Sequence, residues 1–434
     1  MRVLLLADDC NPDWPSLPVV GFNMCRAIAE HAQVVVATHV RNRTNLTRVG
    51  LGRAHVEYLD NEYVAAPLHR LAKFLRGGDQ VAWTTNVALN YPSYLAFEYE
   101  VLKRFGRALR TGKFDVVHRV TPMSPTIPSP LVRWSPVPFV LGPLNGGLRW
   151  PPEFRTELRR EREWLTRVRG AYRLLPYFRS TYRGAAAILA AFRHTAAGLP
   201  PSASDRVFDL PEVGVDPMLF AAPPDRRHGD QCTFLFVGRL VPYKCAEVLV
   251  SAFSRSDVLR NHRLVIVGDG PERRRLETMI RQSRLESCVE LLGWKTQAQV
   301  GELMRQADVF AFPSIRELGA GVVIEAMACG LPCVVVDYGG PGGLVSANIG
   351  VKVPLADKAS ITRGFATEME RLARDPERRQ RMGSAAARYA VDEYSWDAKA
   401  RKVLLVYDWI LGRSAKKPEL HSPPRGSGPE MPAP

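Results

Sequence analysis

Short runs of Val, Ile and Leu alternate with longer segments of helical periodicity along most of this 434-residue chain. A strand buried on both faces reads as a continuous apolar run, so the pattern predicts parallel sheets covered by helices on both sides. In the first half the predicted strands are residues 3–6, 34–37, 116–118, 139–141 and 187–189. The pattern then restarts, with strands at 234–237, 264–267, 289–292, 309–312 and 333–336. Two doubly wound α/β domains in tandem follow. Between residues 199 and 224 the prolines Pro200, Pro201, Pro211, Pro217, Pro223 and Pro224 interrupt both periodicities, which places a first domain at 1–205 and a second at 214–392. Residues 396–411 read as a helix with no strand after it, and 413–434, polar and proline-rich, as a disordered tail.

Composition narrows the class. At 46% hydrophobic and 24% charged the chain has the balance of a soluble globular protein. The opening apolar run, Val3 to Ala7, is too short for a signal-peptide core, and no stretch approaches the roughly 20 apolar residues of a spanning helix. Seven cysteines without paired spacings read as reduced thiols. A cytoplasmic protein is expected, at most peripheral on the cytoplasmic face of the membrane. The net charge of +15 is uneven: residues 101–183 hold 17 Lys and Arg against 5 Asp and Glu. Such a surface attracts phosphate of any origin.

The chemistry concentrates in the second half. Residues 309–337, VFAFPSIRELGAGVVIEAMACGLPCVVVD, read strand, glycine-containing loop, helix, Gly-Leu-Pro stop, strand. Gly319 and Gly321 fall where the helix begins, so a phosphate can approach backbone N–H groups and the positive end of the helix dipole. Glu317 and Glu325 flank that start and can accept hydrogen bonds from sugar hydroxyls; the alternative is an ordinary crossover with a cap-forming Glu. About 75 residues earlier FLFVGRLVPYK runs from a strand into Gly238, Arg239 and Lys244. Two cations there suit a departing diphosphate; the alternative is a solvated loop.

Taken together, GRLVPYK, VIVGDGPE, LLGW and the Glu317–Glu325 pair with EAMACGLP resemble family 4 of the glycosyltransferases, in order and at family-like spacing. The resemblance implies the GT-B fold, two Rossmann-like domains facing each other across a cleft, with residues 393–412 forming a helix that crosses back to the first domain. It implies a retaining transfer from a nucleotide-diphosphate sugar. Arg239 and Lys244 would bind the diphosphate, Glu325 the ribose, Glu317 the transferred sugar, Gly319 and Gly321 the distal phosphate, and backbone near Trp294 the base. Gly21, Gly238 and Gly268 join the donor-binding set.

This chain departs from the family's common pattern at Cys245, where glycine is frequent, and at Leu318-Gly319-Ala320. His118 is either an active-site residue or a strand-end histidine satisfied in the core. Gly268-Asp269-Gly270 lacks a third glycine, which argues against a dinucleotide cofactor. No metal is expected, since the cations and the helix start can neutralise the leaving group. No cofactor is expected beyond the nucleotide sugar. The acceptor would be a glycan, a lipid-linked molecule or a small molecule, as in cell-surface polysaccharide or glycoconjugate synthesis. Residues 155–183, arginine interleaved with aromatics, are either a solvated amphipathic face or a surface for an anionic membrane. No nucleic-acid motif is present. The rival is a catalytically silent scaffold that only binds nucleotide sugar.

Overall fold

A computed structural model describes residues 1–67, 83–160, 171–224, 229 and 231–420. The chain splits into two compact units, one of Met1–Gly147, Glu161–Glu212 and Trp396–His421, the other of Leu148–Arg160 and Val213–Ser395.

The first unit is built on a parallel sheet of seven strands: β1 (Arg2–Ala7), β2 (Gln33–His39), β3 (His55–Leu59), β4 (Val116–Thr121), β5 (Phe139–Leu144), β6 (Ala187–Ala190) and β7 (Val207–Asp209), in the order β3-β2-β1-β4-β5-β6-β7. Successive side chains of a strand point to opposite faces. Accordingly Val3, Leu5 and Ala7 enter one core, which the helix Trp396–Ile410 covers through Val403, Val406 and Tyr407. Leu4 and Leu6 enter the other, covered by Phe97, Val101 and Phe105 of the helix Trp83–Arg110.

The second unit repeats the plan with β8 (Thr233–Val237), β9 (Arg263–Val267), β10 (Val289–Gly293), β11 (Val309–Phe312), β12 (Cys333–Val336) and β13 (Gly350–Val353), ordered β10-β9-β8-β11-β12-β13. In both sheets chain order reverses beside the first strand. Such a switch point, at the carboxyl ends of the strands, is where doubly wound sheets bind ligands.

Two expectations about organisation need correcting. Leu148–Arg160, predicted inside the first domain, belongs to the second unit. Ion pairs hold it there: Lys358 Nζ lies 2.6 Å from Glu157 Oε1 and 2.9 Å from Glu247 Oε1, and Arg160 pairs with Glu272. Residues 413–420, assigned to a disordered tail, are packed. Lys417 Nζ donates to the carbonyls of Asp205 and Val207 at 2.8 and 3.0 Å and sits 4.6 Å from the Phe208 ring centre, while Leu420 is buried. Residues 421–434 of that predicted tail lie outside the described residues.

Candidate functional site

In the second unit, backbone joins the ends of β8, β9 and β10. Gly238 N–H donates to Val267 O at 3.0 Å, and Gly268 N–H to Gly293 O at 2.8 Å. A Cβ at Gly268 would lie 1.9 Å from Gly238 O, so only glycine lets these ends meet. Next to them the helix Gly321–Ala328 starts after β11. It turns Val323, Ile324, Met327 and Ala328 into the core, which leaves Gly321, Val322 and Glu325 on the opposite face, as helical spacing dictates. That face lines a recess of about 320 Å³ together with Val237, Gly238, Lys244, Lys295, Gln297, Val300, Glu317 and Ala320. Its size suits part of a small-molecule ligand.

Lys244 ends the short turn Pro242–Lys244, buried, with its ammonium 4.7 Å from the Phe312 ring centre and paired with Glu317. Ser314 Oγ lies 3.5 Å from the same carboxylate oxygen. Glu317 is fixed from behind: Gly340 N–H donates to its carbonyl at 2.8 Å, and a Cβ at Gly339 would come within 2.5 Å of that oxygen. The glycine-rich run after β12 thus supports the Glu317 loop. Glu325 forms no ion pair among the described residues, and burial pushes its carboxyl up to about 7.

Two residues in the loops near the recess occupy left-handed backbone without being glycine, the buried Cys245 at φ 50° and Ala320 at φ 59°. Both fall where the sequence resemblance leads one to expect glycine.

Half of the predicted donor set therefore meets here, namely Gly238, Lys244, Glu317, Gly321 and Glu325. Others stand apart. Arg239 is exposed beyond the end of β8 and has no ion pair among the described residues. Gly319 is buried in the loop, Gly268 serves the strand junction, and the Trp294 side chain is 72% exposed, so only its backbone neighbourhood approaches the recess. Sequence reading missed Lys295, Gln297 and Val300, which follow β10; their signal was position alone, since they come just after the LLGW run.

The first unit corrects two assignments. Gly21 lies inside the helix Leu17–Ala29, not in a loop before a helix, and a Cβ there would stand 2.4 Å from Asp9 O. It allows close packing between that helix and the chain leaving β1. His118, a candidate catalytic residue on one of its two readings, is fully buried, with Gly142 O 2.6 Å from Nε2 and the Tyr407 hydroxyl 2.5 Å from Nδ1. A carbonyl cannot donate, so Nε2 carries the proton and Nδ1 accepts from Tyr407. Burial lowers its pKa to about 4. It is a histidine satisfied within the core of the first unit. At the same switch point Thr121 donates to Asp8 Oδ1 at 2.8 Å, and Asn42 donates to the Asp8 carbonyl at 2.7 Å.

The basic stretch 155–183 is not one amphipathic helix: its described parts are separate short helices, among them Arg155–Arg160 and Phe178–Gly184. Phe178 and Tyr182 are core residues with ring centres 4.9 Å apart, and Arg160 is paired. Arg162, Trp164, Arg167 and Arg169 lie outside the described residues.

With this geometry established, comparison places it among known proteins. Residues 222–389 match the family model of glycosyl transferases group 1. The chain is 34% identical over 217 residues to a D-inositol 3-phosphate glycosyltransferase of Kineococcus radiotolerans, covering 45% of this chain and 50% of that one. It is 32% identical over 251 residues to a GDP-mannose-dependent alpha-(1-6)-phosphatidylinositol monomannoside mannosyltransferase of Mycolicibacterium smegmatis, covering 52% and 59%. The chain thus spans about half the length of the curated relatives it matches. Sucrose-phosphate synthase from Thermosynechococcus elongatus superposes with a TM-score of 0.62 at 17% identity over 95% of this chain and 100% of that one. Anabaena HepE in complex with UDP-glucose gives 0.57 at 18% over 93% and 98%. The fold is GT-B, with two Rossmann-like α/β domains. Among the described residues no group of acidic, His or Cys side chains is arranged to hold a metal, and no helix is long and apolar enough to cross a membrane.

Proposed function

We propose that the chain is a retaining hexosyltransferase, of glycosyltransferase family 4, that takes its sugar from a nucleotide diphosphate. One observation carries this reading: the buried Lys244–Glu317 pair and the first turn of the helix Gly321–Ala328 border a single recess at the switch point of the second sheet. A bound donor would exchange that pair for two ligand contacts, Lys244 and the nearby Arg239 to the diphosphate and Glu317 to hydroxyls of the sugar. Glu325 accepts from the ribose, and backbone after β10 meets the base. As the glycosidic bond breaks, charge grows on the departing phosphate, and fixed cations with helix-start N–H groups stabilise it without reorganising. No protein nucleophile, cofactor or metal is assigned; the cations already present meet the charge.

The test is a panel of nucleoside diphosphates and their sugars, read by melting temperature and by turnover. A ligand at 100 times its dissociation constant stabilises by about 2.7 kcal/mol. One diphosphate should stand out, and its sugar should turn over in the presence of chelator. Binding without hydrolysis or transfer would instead identify a silent scaffold.

For the acceptor, the names of several relatives specify phosphorylated inositols. An anionic or lipid-linked glycan acceptor, used at the cytoplasmic face of a membrane, suits the basic first unit. There Trp134 and Tyr177 form an exposed edge-to-face pair at 5.8 Å near Leu174, which is 86% exposed, and residues 121–152 and 171–204 contain no Asp or Glu. An aromatic and apolar tip within positive charge fits an anionic bilayer. Co-sedimentation with phosphatidylserine vesicles at low salt, lost in Trp134→Ser with Leu174→Ser, checks it; no sedimentation of the parent favours a soluble acceptor.

A further inference from the structure

The segment Leu148–Arg160 belongs to the second unit although sequence on both sides of it belongs to the first. Its contacts fall on the loops that carry the recess. The Trp150 indole lies edge-to-face with Tyr243 at 6.4 Å, and the Arg316 guanidinium sits 4.9 Å from its ring centre. Tyr243 immediately precedes Lys244, and Arg316 immediately precedes Glu317. Beside Trp150, the Tyr338 hydroxyl donates to Arg149 O at 2.7 Å, and the Leu148 side chain fills the space beside Gly339 that a Cβ there would enter at 2.9 Å. The segment's other end is fixed by Glu157 and Arg160 to three further parts of the unit, through Lys358, Glu247 and Glu272.

We propose that Trp150 is a positioning residue for the donor site, fixing the Lys244 loop and the Glu317 loop in the mutual alignment in which their two charges border one recess. This rests on the reading of the recess as that site. The physical case is geometric. The two loops meet through Ile315 N–H to Tyr243 O at 3.0 Å, Ser314 Oγ to Tyr243 O at 3.3 Å and the Lys244–Glu317 pair itself. Trp150 is the group that spans the flanking side chains, with a ring face for the cation and an edge for the tyrosine. Without that ring the two loops can shift relative to one another, and the charges they carry no longer meet the departing phosphate and the sugar in register.

Trp150→Ala and Trp150→Phe test this against the parent. The alanine variant should lose roughly tenfold to a hundredfold in kcat with KM changed by less than about threefold, because a displacement near 1 Å at reacting groups costs that much. It should bind nucleoside diphosphate and nucleoside monophosphate each within about threefold of the parent, because Glu325 and the base pocket are untouched. Phenylalanine keeps a ring face and should restore most of the loss. A crystal structure of the alanine variant should show the Tyr243 and Arg316 side chains displaced. An alanine variant with parental kcat, or one that loses monophosphate and diphosphate binding equally, removes Trp150 from the site. A parent that turns over no nucleotide sugar removes the donor reading itself, and the proposal with it.

Discussion

Each unit has a switch point beside its first strand, and the two are filled differently. In the second unit the ends of β8, β9 and β10 are joined through glycines, the helix after β11 turns Gly321 and Glu325 to the recess, and a charged pair lies there. At β4 in the first unit the ionisable side chain closest in character, His118, is turned into the core and held by Tyr407 and Gly142. The difference teaches that a titratable residue near a strand end is no site by itself. Side-chain parity along the strand decides whether it faces a ligand or the covering helix.

Replacing His118 with Ala should produce the largest effect, and on stability alone. It leaves the Tyr407 hydroxyl and Gly142 carbonyl unsatisfied beside a cavity, a loss of about 3–5 kcal/mol by denaturant unfolding. Nucleotide binding of the folded protein should not change, and a loss of binding would erase the contrast between the units. The parent also carries a pH signature. His118 is neutral in the fold with a pKa of about 4, below its unfolded value near 6.5, so its contribution is complete above pH 6.5 and disappears as pH falls through 4. Unfolding curves of the parent and of His118→Asn across that range measure it.

The mirror experiment is Lys244→Ala, which should lower turnover by about a hundredfold or more while the protein stays folded. Turnover within threefold of the parent would detach the cation from the chemistry. Next in size, Glu325→Gln should weaken nucleotide binding by about 1.5–3 kcal/mol at pH 8, where the carboxylate is charged. Its pH dependence has a definite sign. The folded pKa, about 7, lies above the unfolded one, so ionising Glu325 costs stability as pH rises from about 4.5 to 7. Glu325→Gln should therefore raise the melting temperature at pH 8 and hardly at pH 4.5, and parental nucleotide binding should tighten as pH rises through 7. The smallest effect is expected for Ala320→Gly, which relieves left-handed backbone and should stabilise by at most about 1 kcal/mol.

Much of this was readable from the chain. Every strand predicted from apolar runs exists, and the strands passed over, β3, β7 and β13, all lie at sheet edges. An edge strand is less buried, so its sequence carries less apolar signal: β3 reads HVEYL, and β7 has only three residues. Lys244, Glu317 and Glu325 were found because glycines and a helix start bracket them. His118 was misassigned although the signal was present, since Val116 and Val120 on either side share its face and both enter the core. The packing of residues 413–420 rests on one lysine stem and one leucine, and proline content hid it. Nothing local in Leu148–Arg160 announced its unit, because the ion pairs that hold it join residues 112 to 201 positions apart.

That segment also bears on how such proteins can be recombined. A gene cut at the proline-rich boundary and joined to another member's second half would carry over the first half's own tryptophan and its own charged anchors. The incoming half would meet a foreign wedge against its Lys244 loop. Exchange of halves therefore depends on the segment Leu148–Arg160, encoded with one half and folded with the other, and chimaeras that ignore it should form two sound sheets with the recess of the second unit misaligned.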